Sequence, residues 1–158
     1  MASSLAGFTG TARRFELRGT VGDRRVFDDY AHHPTEVSVA IEQARLVADG
    51  ADVTVVFQPH LYSRTRLFAD RFAKALSGAD HVVLADIYAA REDEDPAVTS
   101  GLIADQIEGA ECVHDMHEAA RTGARLAGSR GVLITMGAGS ITQCADDVID
   151  EWQRMDAS

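Results

Sequence analysis

Nine consecutive residues, Asp28-Asp29-Tyr30-Ala31-His32-His33-Pro34-Thr35-Glu36, place two carboxylates, a phenol and two imidazoles at the start of a helix. Few structural loops need so many polar groups. Two readings stay open: Asp28 or Asp29 satisfies nearby backbone donors while His33 caps the helix, or the cluster handles a ligand. A metal held by protein ligands alone is disfavoured, because adjacent histidines project in different directions and no third ligand stands at helical spacing. A second concentration, Gln58-Pro59-His60-Leu61-Tyr62-Ser63-Arg64-Thr65-Arg66, leads into another helix. Cations there oppose a dipole whose amino end is already positive, so Arg64 and Arg66 point to a nearby carboxylate or phosphate. A salt bridge to one of the chain's own acids is the alternative.

Two further loops carry weaker signals. The stretch from Asp86 to Asp95 reads as a solvated acidic connection in which Arg91 is the residue of interest. Met136-Gly137-Ala138-Gly139-Ser140 lacks the third glycine of a dinucleotide fingerprint, and a tight turn built from small residues is reason enough for it. No GxxxxGK[ST] phosphate loop occurs anywhere in the chain, and no nucleophile stands paired with a base. Half of an active site is the natural description.

The elements that must position these residues follow from periodicity. Arg13 to Leu17 and Arg24 to Phe27 are expected to pair as a hairpin, with Gly19 and Gly22 in its turn. Pro34 suits a first helical turn, and Val37, Ala40, Ile41, Ala44 and Val47 recur at helical spacing up to Gly50. Strand Val53 to Phe57, a helix through Phe68, Phe72, Ala75 and Leu76 stopped at Gly78, and strand Val82 to Ala85 come next. A short helix at Leu102, Ile103 and Ile107 precedes a short strand, Glu111 to His114. Asp115 and Glu118 then open a helix ending near Gly128. Strand Val132 to Thr135 feeds a last helix with Ile141, Cys144, Val148, Ile149, Trp152 and Met155 on one face. Continuous apolar strands alternating with helices predict a doubly wound α/β domain, its mostly parallel sheet covered on both faces. Ligands of such sheets bind beyond the carboxyl ends of the strands, which is where all four loops fall.

With 158 residues the chain can bury one continuous core, and 46% hydrophobic against 25% charged residues suits a compact globule. A formal net charge of -10 argues against nucleic acid or an anionic membrane as partner. An anionic ligand must therefore meet a local positive cluster, and His32, His33, His60, Arg64 and Arg91 supply one. Cys112 and Cys144 form no CxxC pair, lie in apolar runs, and are expected to be buried structural thiols. No membrane span or signal-like stretch is expected, so a reducing cytoplasm is the simplest setting. Residues 1–7 read as a flexible lead or expression scar before a domain over residues 8–158.

Asp28 to Glu36 resembles the signature of the carboxy-terminal domain of the Mur ligase family, in the form carried by its L-alanine-adding branch. Phe8, Gly10 and Arg13-Arg14-Phe15-Glu16 resemble the start of that domain, Phe57 to Thr65 its Phe-Gln-Pro-His stretch, and Thr135 to Gly139 its Thr-Met-Gly-Ala-Gly turn. The His-His-Pro-Thr-Glu and Phe-Gln-Pro-His runs separate this branch from ligases adding D-glutamate or diamino acids. The resemblance implies a Rossmann-like fold and a part in ATP-dependent amide ligation for peptidoglycan biosynthesis. In that reaction the carboxylate of UDP-N-acetylmuramate becomes an acyl phosphate and is attacked by the amine of L-alanine. It further implies that the domain swings over ATP bound to amino-terminal and central domains, with Mg2+ held mainly by the central one. Asp29 and His32 would then lie at ATP, and Tyr30, His32, His60 and Arg64 would surround L-alanine. Catalytic groups and metal ligands are expected outside this chain, which should be inactive when isolated. Leu61 departs from the family pattern, where arginine is common, so Arg64 or Arg66 must compensate or that contact is dispensable. The rival expectation is a free-standing anion or nucleotide sensor using the same edge.

Overall fold

The computed structural model describes residues 13–158. The lead over residues 1–7, and the positions Phe8 and Gly10, lie outside the described residues. Strands β1 (Glu16–Val21) and β2 (Asp23–Asp29) form a hairpin, followed by α1 (Pro34–Ala48), β3 (Asp52–Phe57), α2 (Tyr62–Leu76) and β4 (His81–Leu84). The chain continues through α3 (Gly101–Ala104), β5 (Glu111–Cys112), α4 (Met116–Leu126) and β6 (Arg130–Met136). A 3-10 turn, Ser140–Cys144, leads into α5 (Ala145–Ala157).

The six strands run in the order β1-β2-β6-β3-β4-β5. The hairpin is antiparallel and every other pairing is parallel. Because side chains alternate along a strand, each apolar run serves two cores at once. Val53, Val55, Phe57, Val132, Ile134 and Met136 face α1, α2 and α3. Val56 and Leu133 face the layer of α4 and α5, where Trp152 is wholly buried. Trp152 donates its indole N–H to the Ala124 carbonyl at 3.0 Å, and the buried Arg24 pairs with Asp156 at 2.5 Å, which ties α5 to the sheet. Among the described residues no helix is long and apolar enough to cross a membrane.

The fold class is the expected one, with two local corrections at the hairpin. β1 begins at Glu16 rather than Arg13, because Phe15 turns at φ 46 and gives its N–H to Asp29 instead of to a strand partner. Gly22, at φ 62, makes the turn alone. Gly19 lies inside β1, beside a register shift, where a Cβ would stand 2.5 Å from Ile149 Cδ1. Its role is to let α5 approach the strand.

Candidate functional site

Strand register lines up four chain segments at one edge. Asp29 lies opposite Met136, Met136 opposite Phe57, and Phe57 opposite Leu84, so the loops after β2, β6, β3 and β4 emerge side by side.

After β2, the two aspartates divide their work. Asp28 is fully buried, receives Arg13 Nε at 2.8 Å, and accepts the hydroxyls of Thr135 and Thr142, each at 2.8 Å. It anchors the loop. Asp29 accepts the N–H of Phe15 at 2.8 Å and of Ala31 at 2.9 Å, one on each oxygen. Burial raises its carboxyl above the ordinary range, opposed in part by those same bonds. A carboxylate has about four acceptor sites, so Asp29 keeps capacity for a further donor. With Arg14, Tyr30, Thr35 and Glu36 it lines a cavity of about 230 Å³. That is below the roughly 300–1,000 Å³ typical of a small-molecule pocket.

His32 and His60 present complementary nitrogens. His32 Nδ1 lies 2.9 Å from the Tyr30 carbonyl, which only accepts, so Nδ1 carries the proton and Nε2 of the neutral ring is an acceptor. Arg64 Nη1 lies 3.0 Å from His60 Nδ1; a guanidinium only donates, so the proton of neutral His60 belongs on Nε2. Burial first, then the Arg64 charge, holds the His60 pKa below its ordinary value and keeps the ring neutral near pH 7. The two imidazoles stand 6.0 Å apart, and Tyr30 packs edge-on to His32 at 5.1 Å with the Arg13 guanidinium 5.0 Å over its ring. Tyr30, His32, His60 and Arg64 are thus brought together, with Asp29 adjacent. His33 occupies the N-cap of α1, but the carboxylate satisfying its N–H and that of His32 is Glu36, at 3.2 and 3.1 Å.

The loop after β4 is largely exposed, as its acidity suggested, but it also organises the neighbouring β3 loop. Tyr88 stacks on His60 with ring centroids 5.6 Å apart, donates its N–H to Pro59 and accepts that of Leu61. Glu92 accepts the N–H groups of Tyr62 at 2.6 Å and Ser63 at 3.1 Å, and the Ser63 hydroxyl donates to its other oxygen. The reason is the unmet donors of a helix start: Leu61, at the N-cap, has no side-chain acceptor, so a remote carboxylate takes the place. Leu61 itself sits at φ 75, ψ 135, a conformation costing about 1–3 kcal/mol for a non-glycine residue. Asp95 pairs with Arg66 at 2.5 Å, so the salt-bridge alternative holds for Arg66. Arg64, among the described residues, has no carboxylate within ion-pairing distance. Arg91 is exposed.

The glycine turn after β6 serves packing. A Cβ on Gly137 would lie 2.7 Å from the Gln58 carbonyl, and one on Gly139 2.6 Å from the Tyr88 ring. Gln58, buried, accepts the Ile141 N–H at 3.1 Å and so joins the β3 loop to the 3-10 turn that precedes α5. Sequence reasoning passed over Tyr88, Gln58 and Glu92. An aromatic at a strand end could have flagged Tyr88; nothing distinguishes Glu92 from its acidic neighbours.

The cysteines part company. Cys144 is buried, and that burial pushes its thiol up to about 12. Its sulfur and the Asp147 carboxylate both approach His117 Nδ1, at 3.7 and 2.7 Å, while Arg121 holds the other Asp147 oxygen at 3.1 Å. These groups satisfy one another beside the first turn of α4. Cys112 is exposed, contrary to expectation, because two-residue β5 forms the sheet margin and nothing among the described residues covers it.

A parallel sheet edge carrying this His-Arg-Tyr constellation accords with a family match over residues 13–139, described as Mur ligase, glutamate ligase domain; the chain belongs to the Mur ligase family. More particularly, it is similar to UDP-N-acetylmuramate--L-alanine ligases. The Renibacterium salmoninarum enzyme is 49% identical over 148 residues, covering 94% of this chain and 32% of the relative. The Mycolicibacterium smegmatis enzyme is 49% identical over 155 residues, covering 96% and 32%. Among solved structures, the UDP-N-acetylmuramate-alanine ligase MurC of Thermotoga maritima superposes with TM-score 0.69 at 26% identity, over 90% of this chain and 30% of that one. The chain spans about a third of the length of these relatives.

Proposed function

We propose that residues 8–158 are the carboxy-terminal domain of an ATP-dependent ligase joining L-alanine to UDP-N-acetylmuramate. The domain receives the amino acid at the His32–His60–Arg64 edge and closes over ATP beside Asp29. The observation that carries this reading is Arg64: a half-buried cation in a protein of net charge -10, held by His60 at 3.0 Å and matched to no acid among the described residues. An amino-acid carboxylate supplies the missing charge. His60 Nε2–H is a second donor toward it, while His32 Nε2 is an acceptor suited to the amine. ATP supplies activation, a phosphoryl transfer that makes the muramyl carboxylate an acyl phosphate. This chain's contribution is orientation, charge neutralisation and exclusion of water from the hydrolysable mixed anhydride.

The nucleotide side fits the same reading. Asp29, with acceptor capacity left beyond its two backbone N–H donors, would take a ribose hydroxyl, and the cavity beside it suits the edge of a ligand rather than a whole one. His32, whose Nδ1 lies 3.5 Å from a carboxylate oxygen of Glu36 in the wall of that cavity, would serve both subsites. In that cavity the two carboxylates, Asp29 and Glu36, each accept backbone N–H groups, so Mg2+ would arrive with the nucleotide and be held mainly by residues outside this chain.

A free-standing anion or nucleotide sensor is the second reading, favoured by the domain's own two-layered core. Calorimetric titration of the chain with L-alanine and with ATP, repeated in the complete ligase, separates the two. The ligase reading expects saturable binding and alanine-dependent phosphate release only in the complete protein. Tight binding of either ligand by the chain alone sinks it.

A further inference from the structure

Glu92 lies outside the constellation that contacts the proposed amino acid, yet it governs the loop presenting it. Its carboxylate takes two of the free N–H groups of α2 and the Ser63 hydroxyl, and the neighbouring Tyr88 holds Leu61 and stacks on His60. Arg64 is the next residue of the same helical turn. From these contacts we infer that Glu92 is a positioning residue for Arg64 and His60, and that it closes the amino terminus of α2 to outside anions. An incoming carboxylate is thereby directed to the guanidinium rather than to the helix end.

Three features support this assignment. The backbone at Leu61 is in a conformation that only surrounding contacts can maintain, and those contacts come from the Tyr88–Glu92 segment. The hydrogen bonds from Ser63 and Tyr62 hold the Glu92 carboxyl below the usual range, so it is a charged acceptor near neutral pH. The helix dipole favours an anion at this position, and Glu92 already takes it through the Tyr62 and Ser63 N–H groups. The chain thus separates two jobs that a single anion site would confuse: Glu92 orders the helix, and Arg64 stays available.

This inference rests on the ligase reading, and the test keeps the two apart. In the complete ligase, Glu92→Ala should raise KM for L-alanine by about tenfold with KM for ATP unchanged, as expected when a distant contact misplaces a binding group. Glu92→Gln, which keeps an acceptor but loses the charge, should fall between. Combined with Arg64→Ala, the Glu92→Ala effect on alanine should vanish, because a residue that acts through Arg64 has nothing left to position. Additive effects overturn the positioning role. So does an unchanged KM for alanine in Glu92→Ala alongside a raised one in Arg64→Ala. If instead Arg64→Ala itself leaves alanine kinetics intact, the ligase reading of this edge fails. Hydrogen exchange at Tyr62 and Ser63 then still reports on the cap: faster exchange in Glu92→Ala is expected, and unchanged exchange refutes it.

Discussion

Helices α1 and α2 both leave the same sheet edge, both run for 15 residues, and both begin beside histidines, yet their amino termini are completed in opposite ways. α1 is closed locally. Pro34 needs no N–H partner, and Glu36 folds back on His32 and His33, within one turn of chain. α2 is closed from afar. Leu61 offers no cap, and Glu92, 30 residues from Tyr62, crosses from the loop after β4. Local closure makes the β2 loop a rigid part with its own instructions. Remote closure couples the His60–Arg64 loop to the Tyr88–Glu92 segment, so the amino-acid edge can be tuned from a second loop without touching Arg64.

The largest effect that tests this contrast concerns Arg64. Hydrogen bonds to charged groups contribute about 1.5–3 kcal/mol, so Arg64→Ala in the complete ligase should lower kcat/KM for L-alanine roughly ten- to a hundredfold with KM for ATP unchanged. Lysine should rescue only in part, since it keeps the charge without the two-pronged fork. If α2 presents no substrate group, the mutant will differ from wild type only in melting temperature, by the small amount a surface charge is worth.

Glu36→Ala probes the local cap. Its expected cost is about 1 kcal/mol of stability, read from chemical denaturation, because two N–H groups ahead of α1 lose their acceptor. The Tyr62 and Ser63 amides should exchange as before. Faster exchange there would show that the two helix starts are coupled and would dissolve the contrast.

Acidification should produce the smallest change, and its sign is determined by the histidines. His33 and His60 both have pKa values lowered from 6.5, chiefly by burial with Arg64 adding to it. The unfolded chain then binds more protons than the folded one, so stability is present above about 6.5 and is lost as pH falls from there toward the folded values. The melting temperature of the chain should decline as pH drops from 7 to below 6. His60→Gln should flatten part of that decline. A melting temperature that rises over this interval contradicts the direction of both shifts. The carboxyls of Glu36 and Glu92, held low by their hydrogen bonds, lose their contribution only as pH falls further, through their own folded values.

Much of this was legible in residue order alone. Val53 to Phe57 and Val132 to Thr135 read as doubly buried strands because an apolar run with no alternation must face two layers, and both stand at the sheet centre. Pro34 and the spacing from Val37 to Val47 located α1, and Asp115 located the start of α4, whose Glu118 N–H it accepts at 2.9 Å. The four loops could be assigned to one edge because parallel strands point the same way. What sequence could not choose was which acid answers which cation. Arg64 and Arg66 are alike by type and position, as are Glu92 and Asp95, and only strand register and the course of the β4 loop pair Arg66 with Asp95, seat Glu92 on α2, and leave Arg64 unmatched. The same holds for Gly19, read as a turn residue until α5 was seen lying over it, and for Cys112, apolar in context but stranded on an uncovered margin. Periodicity is a local property carried by neighbours in the chain; the choice among chemically equivalent partners is made by distance in space, which exists only once the sheet has assembled.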